Sequence, residues 1–262
     1  MSSNDDLIKR IKDDISKSGY PLEIEIYKLL KDFNWMIMPQ YYYKDRITNK
    51  EKSIDFICRK SVLIDNKYFY SVFIYLFIEC KKLEDKQWVL FTISRDSFDE
   101  ENFIIENLQF SYKRDKKMKI TKRDELVTSL FSISHLNSNI PRAINHYVPF
   151  NKNDSFYKAI NQNINALIFK KDSIDNTLEE YNIKQLNNLF IFYPIIICDK
   201  NLYEYKVHTE ELSKKDHILF LTKGIGNEFS SYAIDVITSD IFSDYLHQID
   251  TQLDSIFNVF LE

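Results

Sequence analysis

Glycine is scarce in this chain, at 3 of 262 residues. Loops that cradle phosphates need several glycines, because the backbone must come close to the ligand with no Cβ in the way. The sole G-x-G, Gly224-Ile225-Gly226, lacks a third glycine and a helix pattern after it, and no G-K-[ST] occurs. Nucleotide-driven motors and kinases are thereby excluded. Cysteine is also rare. Cys58, Cys80 and Cys198 each lie in an apolar run without a C-x-x-C partner, which excludes a zinc ribbon or a disulfide framework and suits a reducing compartment. The longest uninterrupted apolar stretch, residues 72–78, is too short to cross a bilayer. The first residues, 1–6, are polar and acidic, unlike a signal peptide. A soluble, cytoplasmic protein with no membrane partner is expected. Strong positive charge is missing too. The formal net charge is −4, so any nucleic acid must be held by a local patch rather than by the whole surface.

What is present is ordinary globular stock: 44% apolar and 28% charged residues, with 17 Tyr and 20 Phe. Leu7, Ile8, Ile11 and Ile15 recur at helical spacing. After the break at Ser18-Gly19-Tyr20-Pro21, a second helix carries Leu22, Ile26, Leu29, Leu30 and Phe33 on one face, with Pro21 at its start, where no N–H is needed. Residues 36–43 read as a strand. Two long apolar runs, 53–64 and 68–79, flank Asp65-Asn66-Lys67 and predict a hairpin whose second strand is buried on both faces. Helical spacing returns over 156–170, through Ile160, Ile164 and Leu167, and a helix is predicted over 124–133. Residues 189–198 and 202–207 suggest a second hairpin around Asp199-Lys200-Asn201. Two further strands, 218–222 and 232–238, precede a last amphipathic helix over 239–260. The chain reads as one domain, 1–262, with an insertion at about 84–155.

The chemistry lies in the first hairpin. Side chains alternate along a strand, so Glu79 and Lys81 share a face and Cys80 points away. A three-residue turn centred on Asn66 places Asp55 opposite Phe77 on that face, with Glu79 as its diagonal neighbour. Two carboxylates at the edge of a buried sheet are costly unless paired or metal-bound, and a divalent cation with a nearby lysine resolves their repulsion. An ordinary rim salt bridge to Lys81 is the competing reading.

Asp55, then a hairpin, then Glu79-Cys80-Lys81 resembles the D…E-x-K signature of the PD-(D/E)xK, or restriction-endonuclease-like, nuclease superfamily. Gly19-Tyr20-Pro21-Leu22-Glu23 is similar to the segment where these nucleases carry a glutamate at the start of the first core helix. The match covers residues 18–82, and it departs where Ser53-Ile54 stands in place of a proline before the aspartate. The resemblance implies an α/β fold with a restriction-endonuclease-like core: a central mixed sheet flanked by helices, with the insertion after the E-x-K strand. It also implies Mg²⁺-dependent hydrolysis of phosphodiester bonds, Mn²⁺ being able to substitute, with DNA the expected substrate of an endonuclease. Asp55 and Glu79 would hold the metal, with the Cys80 carbonyl completing its coordination. Lys81 would orient water or stabilise developing charge, and Glu23 would reach the metal through water. The superfamily's bacterial members set an expectation of restriction or anti-phage defence, as a homodimer or within a larger defence complex.

Lys113, Arg114, Lys116, Lys117, Lys119, Lys122 and Arg123 surround a single acid, Asp115. On a nuclease they would contact nucleic acid; otherwise they are a solvated loop. Tyr41-Tyr42-Tyr43 reads as strand, and the five histidines show no metal spacing. Two alternatives stand beside the nuclease. One is a catalytically inactive nuclease fold that binds nucleic acid or serves as an assembly subunit. The other is an unrelated α/β protein whose carboxylates are rim salt bridges, which a register placing Asp55 and Glu79 on opposite faces would favour.

Overall fold

A computed structural model describes residues 3–46, 48–63, 71–84, 86–93, 108–111, 140–149, 155–180, 188–223 and 231–261. Four helices are present among them: α1 (Ser3–Lys17), α2 (Tyr20–Asp32), α3 (Ser155–Glu180) and α4 (Phe242–Leu261). The strands are β1 (Met36–Lys44), β2 (Glu51–Leu63), β3 (Ser71–Lys81), β4 (Trp88–Ile93), β5 (Leu108–Ser111), β6 (Arg142–Tyr147), β7 (Asn188–Cys198), β8 (Leu202–Lys206), β9 (Glu211–Lys214), β10 (His217–Lys223) and β11 (Ser231–Thr238). Ten of these form one mixed sheet in the order β1-β2-β3-β7-β11-β10-β6-β4-β8-β9, and β5 pairs with β7 off that path. The chain is an α/β protein. No helix among the described residues is long and apolar enough to cross a membrane.

Hydropathy explains which strands lie at the centre. β7 is buried at every position and β3 at nearly every one. The two run parallel, in register from Ser71↔Asn188 to Lys81↔Cys198, as expected of strands covered on both faces. On one face Leu22, Ile26 and Leu30 of α2 and Phe242, Tyr245 and Leu246 of α4 pack against Leu76, Ile78 and Cys80. On the other, Phe156, Ile160, Ile164 and Leu167 of α3 pack against Tyr75, Phe77 and Phe192. Each such side chain, fully buried, contributes about 1.5–3 kcal/mol. The apolar stripe of α1 is different: Leu7, Ile8, Ile11 and Ile15 remain exposed.

The second expected hairpin does not form. β7 lies between β3 and β11, with β5 along its first half, so no edge is left for β8, which pairs with β4 and β9 instead. The segment expected as an insertion supplies β4 and β6 to the same sheet, and β6 runs parallel to β10. The third helix extends to Glu180, beyond its predicted end. The expected helix over 124–133, the basic run 113–123 and the turn 65–67 lie outside the described residues.

Pro194, in the middle of β7 opposite Phe77, has no N–H for the ladder. Buried Asn163 of α3 compensates. Its Nδ2 donates to the carbonyls of Phe77 and Ile195, both at 2.8 Å, which fastens α3 to the central strand pair. Asn163→Leu should therefore cost about 2–3 kcal/mol, since two buried acceptors lose their donor. Urea denaturation measures it, and a loss under about 0.5 kcal/mol, as for an ordinary surface change, would contradict this role.

Candidate active site

β2 and β3 part company at one point. Their ladder runs from Leu63↔Ser71 to Phe56↔Ile78 and stops. Beyond it, β2 stays with β1 (Ile54↔Tyr41 to Glu51↔Lys44), while β3 stays with β7 through Lys81. The sheet therefore opens into a wedge, with Asp55 on one lip and Glu79 on the other. Asp55 stands across from Glu79 rather than from Phe77, so the pairing is centred on Lys67 and not on Asn66. A shift of two residues keeps the expected parity.

The expected single face is nonetheless not what forms. Pairing of β1 with β2 skips Gln40 and Asp55, between Pro39↔Phe56 and Tyr41↔Ile54. Gln40 adopts φ 46° there, a left-handed conformation unusual for a residue with a Cβ. Alternation slips at this irregularity: Ile54 and Ile57 both join the α3-side core. Asp55 consequently lines a cavity on the α2 side with Glu23, Tyr20 and Tyr27. Lys81 lines a cavity on the α3 side. Asp55 and Lys81 thus open on opposite sides of the sheet, the arrangement expected of rim salt bridges, and what links Asp55 to Glu79 and Lys81 is charge coupling across the gap.

Hydrogen bonds hold the lips. The backbone N–H of Cys80 donates to Asp55 Oδ2 at 2.7 Å, a role the strand N–H would otherwise give to the missing ladder. Lys81 Nζ donates to Glu79 Oε1, and Glu79 is 1% exposed. Its second oxygen, Oε2, is buried with no hydrogen-bond partner. Burial raises the Glu79 carboxyl to about 7; Lys81 opposes that shift, the Asp55 charge adds to it, and the Asp55 backbone N–H, donating to the carboxyl, lowers it. Asp55 is likewise raised, by burial first, against the Cys80 N–H and Lys81, which lower it. Glu23, in the first turn of α2, is raised by burial and by the charge of Asp55, and lowered by Lys81. Glu23, Asp55, Glu79 and Lys81 therefore form one electrostatic unit. Burial pushes the Cys80 thiol up as well, which keeps it neutral and leaves only its backbone to serve the site. Glu25, two residues from Glu23, is exposed.

The donor set suits a hard divalent cation. An orphaned carboxylate oxygen beside a second carboxylate is costly without a positive partner. Among the described residues no group of three or more His, Cys, Asp or Glu is drawn together as a metal cage. Mg²⁺ needs only one or two carboxylates, because it keeps several waters.

Two features escaped the sequence reading. Lys158, Asn161, Gln162 and Asn165, along α3, line the cavity that holds Lys81. Their signal was a polar row at intervals of three and four residues on a helix otherwise read for its apolar face. Elsewhere, His217 Nε2 lies 2.7 Å from Asp235 Oδ1, and Tyr245 Oη donates to Asp235 Oδ2 at 2.7 Å, on the α4 side of the sheet. Comparison with protein-family models, curated proteins and solved structures finds no match to this chain.

The Glu79 carboxyl carries a sign that can be checked. It keeps its proton to about pH 7 in the folded chain against 4.5 ordinarily, so ionising it costs stability as pH rises through that interval. The metal-free chain should match its Glu79→Gln variant near pH 4.5 and fall below it by about 3 kcal/mol above pH 7. Denaturation in EDTA across this range measures the gap; a gap independent of pH would refute the assignment.

Proposed function

We propose that this protein is a metal-dependent nuclease, hydrolysing phosphodiester bonds of nucleic acid, built on a restriction-endonuclease-like core. The observation that carries the reading is the wedge between β2 and β3. There a buried glutamate with an unpartnered oxygen meets a second carboxylate and a lysine, on the strand pair that bears the D…E-x-K pattern. The order α2, β1, β2, β3, then α3 and β7 supports the same core.

Asp55 and Glu79 would hold Mg²⁺, with the Cys80 carbonyl as a further oxygen ligand. The bound cation would supply neutralisation of the scissile phosphate and a water of lowered pKa. Asp55 is positioned by the Cys80 N–H, so its free oxygen has a fixed direction. Glu79, once ionised, presents Oε2. Lys81 reaches Glu79 Oε1 from the α3 side, and its ammonium would orient the attacking water or balance charge on the phosphate in the transition state. Glu23 lies within the field of both Asp55 and Lys81 and would act through water.

Plasmid, single-stranded DNA and RNA incubated in Mg²⁺ or Mn²⁺ test the proposal. Cleavage is expected, abolished by EDTA and lowered at least ~100-fold in Asp55→Asn, Glu79→Gln and Lys81→Ala, with about tenfold loss in Glu23→Gln. Cleavage that survives EDTA and the Glu79 and Lys81 variants would sink it.

A further inference from the structure

The α3-side cavity measures about 750 Å³, within the range of sites that enclose a small organic ligand. Its wall carries three lysines, Lys52, Lys81 and Lys158, and the amides of Asn161, Gln162 and Asn165. The lysines are not equivalent. Lys52 is committed to Asp45, whose carboxylate also accepts from Thr48, and Lys81 pairs with Glu79. Lys158 has no carboxylate partner among the described residues and is exposed at the cavity. The amides are anchored to the backbone. Asn161 Nδ2 donates to the Tyr157 carbonyl at 3.0 Å, Gln162 Nε2 to the Ser53 carbonyl at 3.3 Å, and Asn165 Nδ2 to the Asn161 carbonyl at 2.8 Å. Each amide thus ties one N–H to the backbone and retains a second N–H and a carbonyl oxygen for a ligand. Tyr157, at the same wall, is 55% exposed.

Such a surface asks for a ligand with an anionic part, hydrogen-bonding edges and a flat ring. A phosphate meets Lys158 and Lys81. The donors and acceptors on the edge of a base meet the amides, and the base plane meets Tyr157. In a duplex those edge groups are consumed by pairing and the ring faces are stacked. We propose that this cavity holds an unpaired nucleotide of the substrate strand, next to the phosphate presented to Glu79 and Lys81, and that the substrate is single-stranded nucleic acid. The proposal rests on the nuclease reading of the wedge and names its substrate class.

Binding of the native chain in EDTA tests it, with labelled single-stranded DNA, single-stranded RNA and duplex DNA of about 12 nucleotides followed by fluorescence anisotropy. At least one single strand is expected to bind ~10-fold tighter than duplex, and Tyr157→Ala and Asn161→Ala should each weaken it about 5–10-fold. Duplex binding as tight as either single strand, or single-strand affinity unmoved by both substitutions, would overturn the proposal. Because no metal is present, this result stands apart from hydrolysis. Single-strand binding without cleavage in Mg²⁺ would remove the nuclease reading and keep the cavity; cleavage without single-strand preference would do the reverse.

Discussion

The site depends on where one ladder ends. β2 and β3 pair for eight residues and separate after Phe56↔Ile78, and the opening leaves backbone groups that a continuous sheet would have paired. Asp55 takes up one of them, the Cys80 N–H, with its carboxylate. A polar group stranded inside a sheet costs more than a hydrogen bond normally contributes, so this contact fixes the gap as well as the side chain. The central pair β3–β7, anchored by Asn163 across the interruption at Pro194, gives the other lip a rigid base. Short tethers thereby place charged groups where apolar packing alone would have closed the sheet.

Two buried polar groupings in the same molecule show what satisfaction means. Asp235 is almost wholly buried, yet His217 and Tyr245 occupy both of its oxygens. Burial of that carboxylate is balanced by its own neighbours, and the grouping knits β10, β11 and α4 together. Glu79 is equally buried, with one oxygen on Lys81 and the other on nothing. The first arrangement completes itself. The second leaves a carboxylate oxygen open beside a second carboxylate, which is the ground on which the proposed cation is placed there.

Electrostatics also sets the character of the two mouths. On the α2 side, Glu23 and Asp55 sit among Tyr20, Ile24 and Tyr27, so the opening is acidic and rimmed by apolar and aromatic groups. On the α3 side, Lys81 shares its cavity with Lys52, Lys158, Asp45 and the amides of α3. Two of those lysines are paired with Asp45 and Glu79, which leaves Lys158 as the unpaired charge of this mouth among the described residues.

Much of this was legible in the residues. Length of apolar run and alternation gave β1, β2, β3, β7, β10 and β11 and the helices that cover them, because burial on one or both faces leaves a periodic imprint. Parity along the hairpin was legible as well: Asp55, Glu79 and Lys81 fall at odd positions, and any odd-length turn keeps Asp55 level with them. What one chain segment cannot encode alone came from the tertiary structure. The register moved by two, because turn length is decided by the whole hairpin. β8 left β7 for β4, because β7's edges were taken by strands distant in sequence. Skipped pairing at Gln40 and Asp55 turned the aspartate through the sheet, and α3 brought Lys158 and its amides to a lysine some eighty residues earlier. Local pattern determined which residues are inside and which are charged; only the packing of distant segments decided which of those charges would meet.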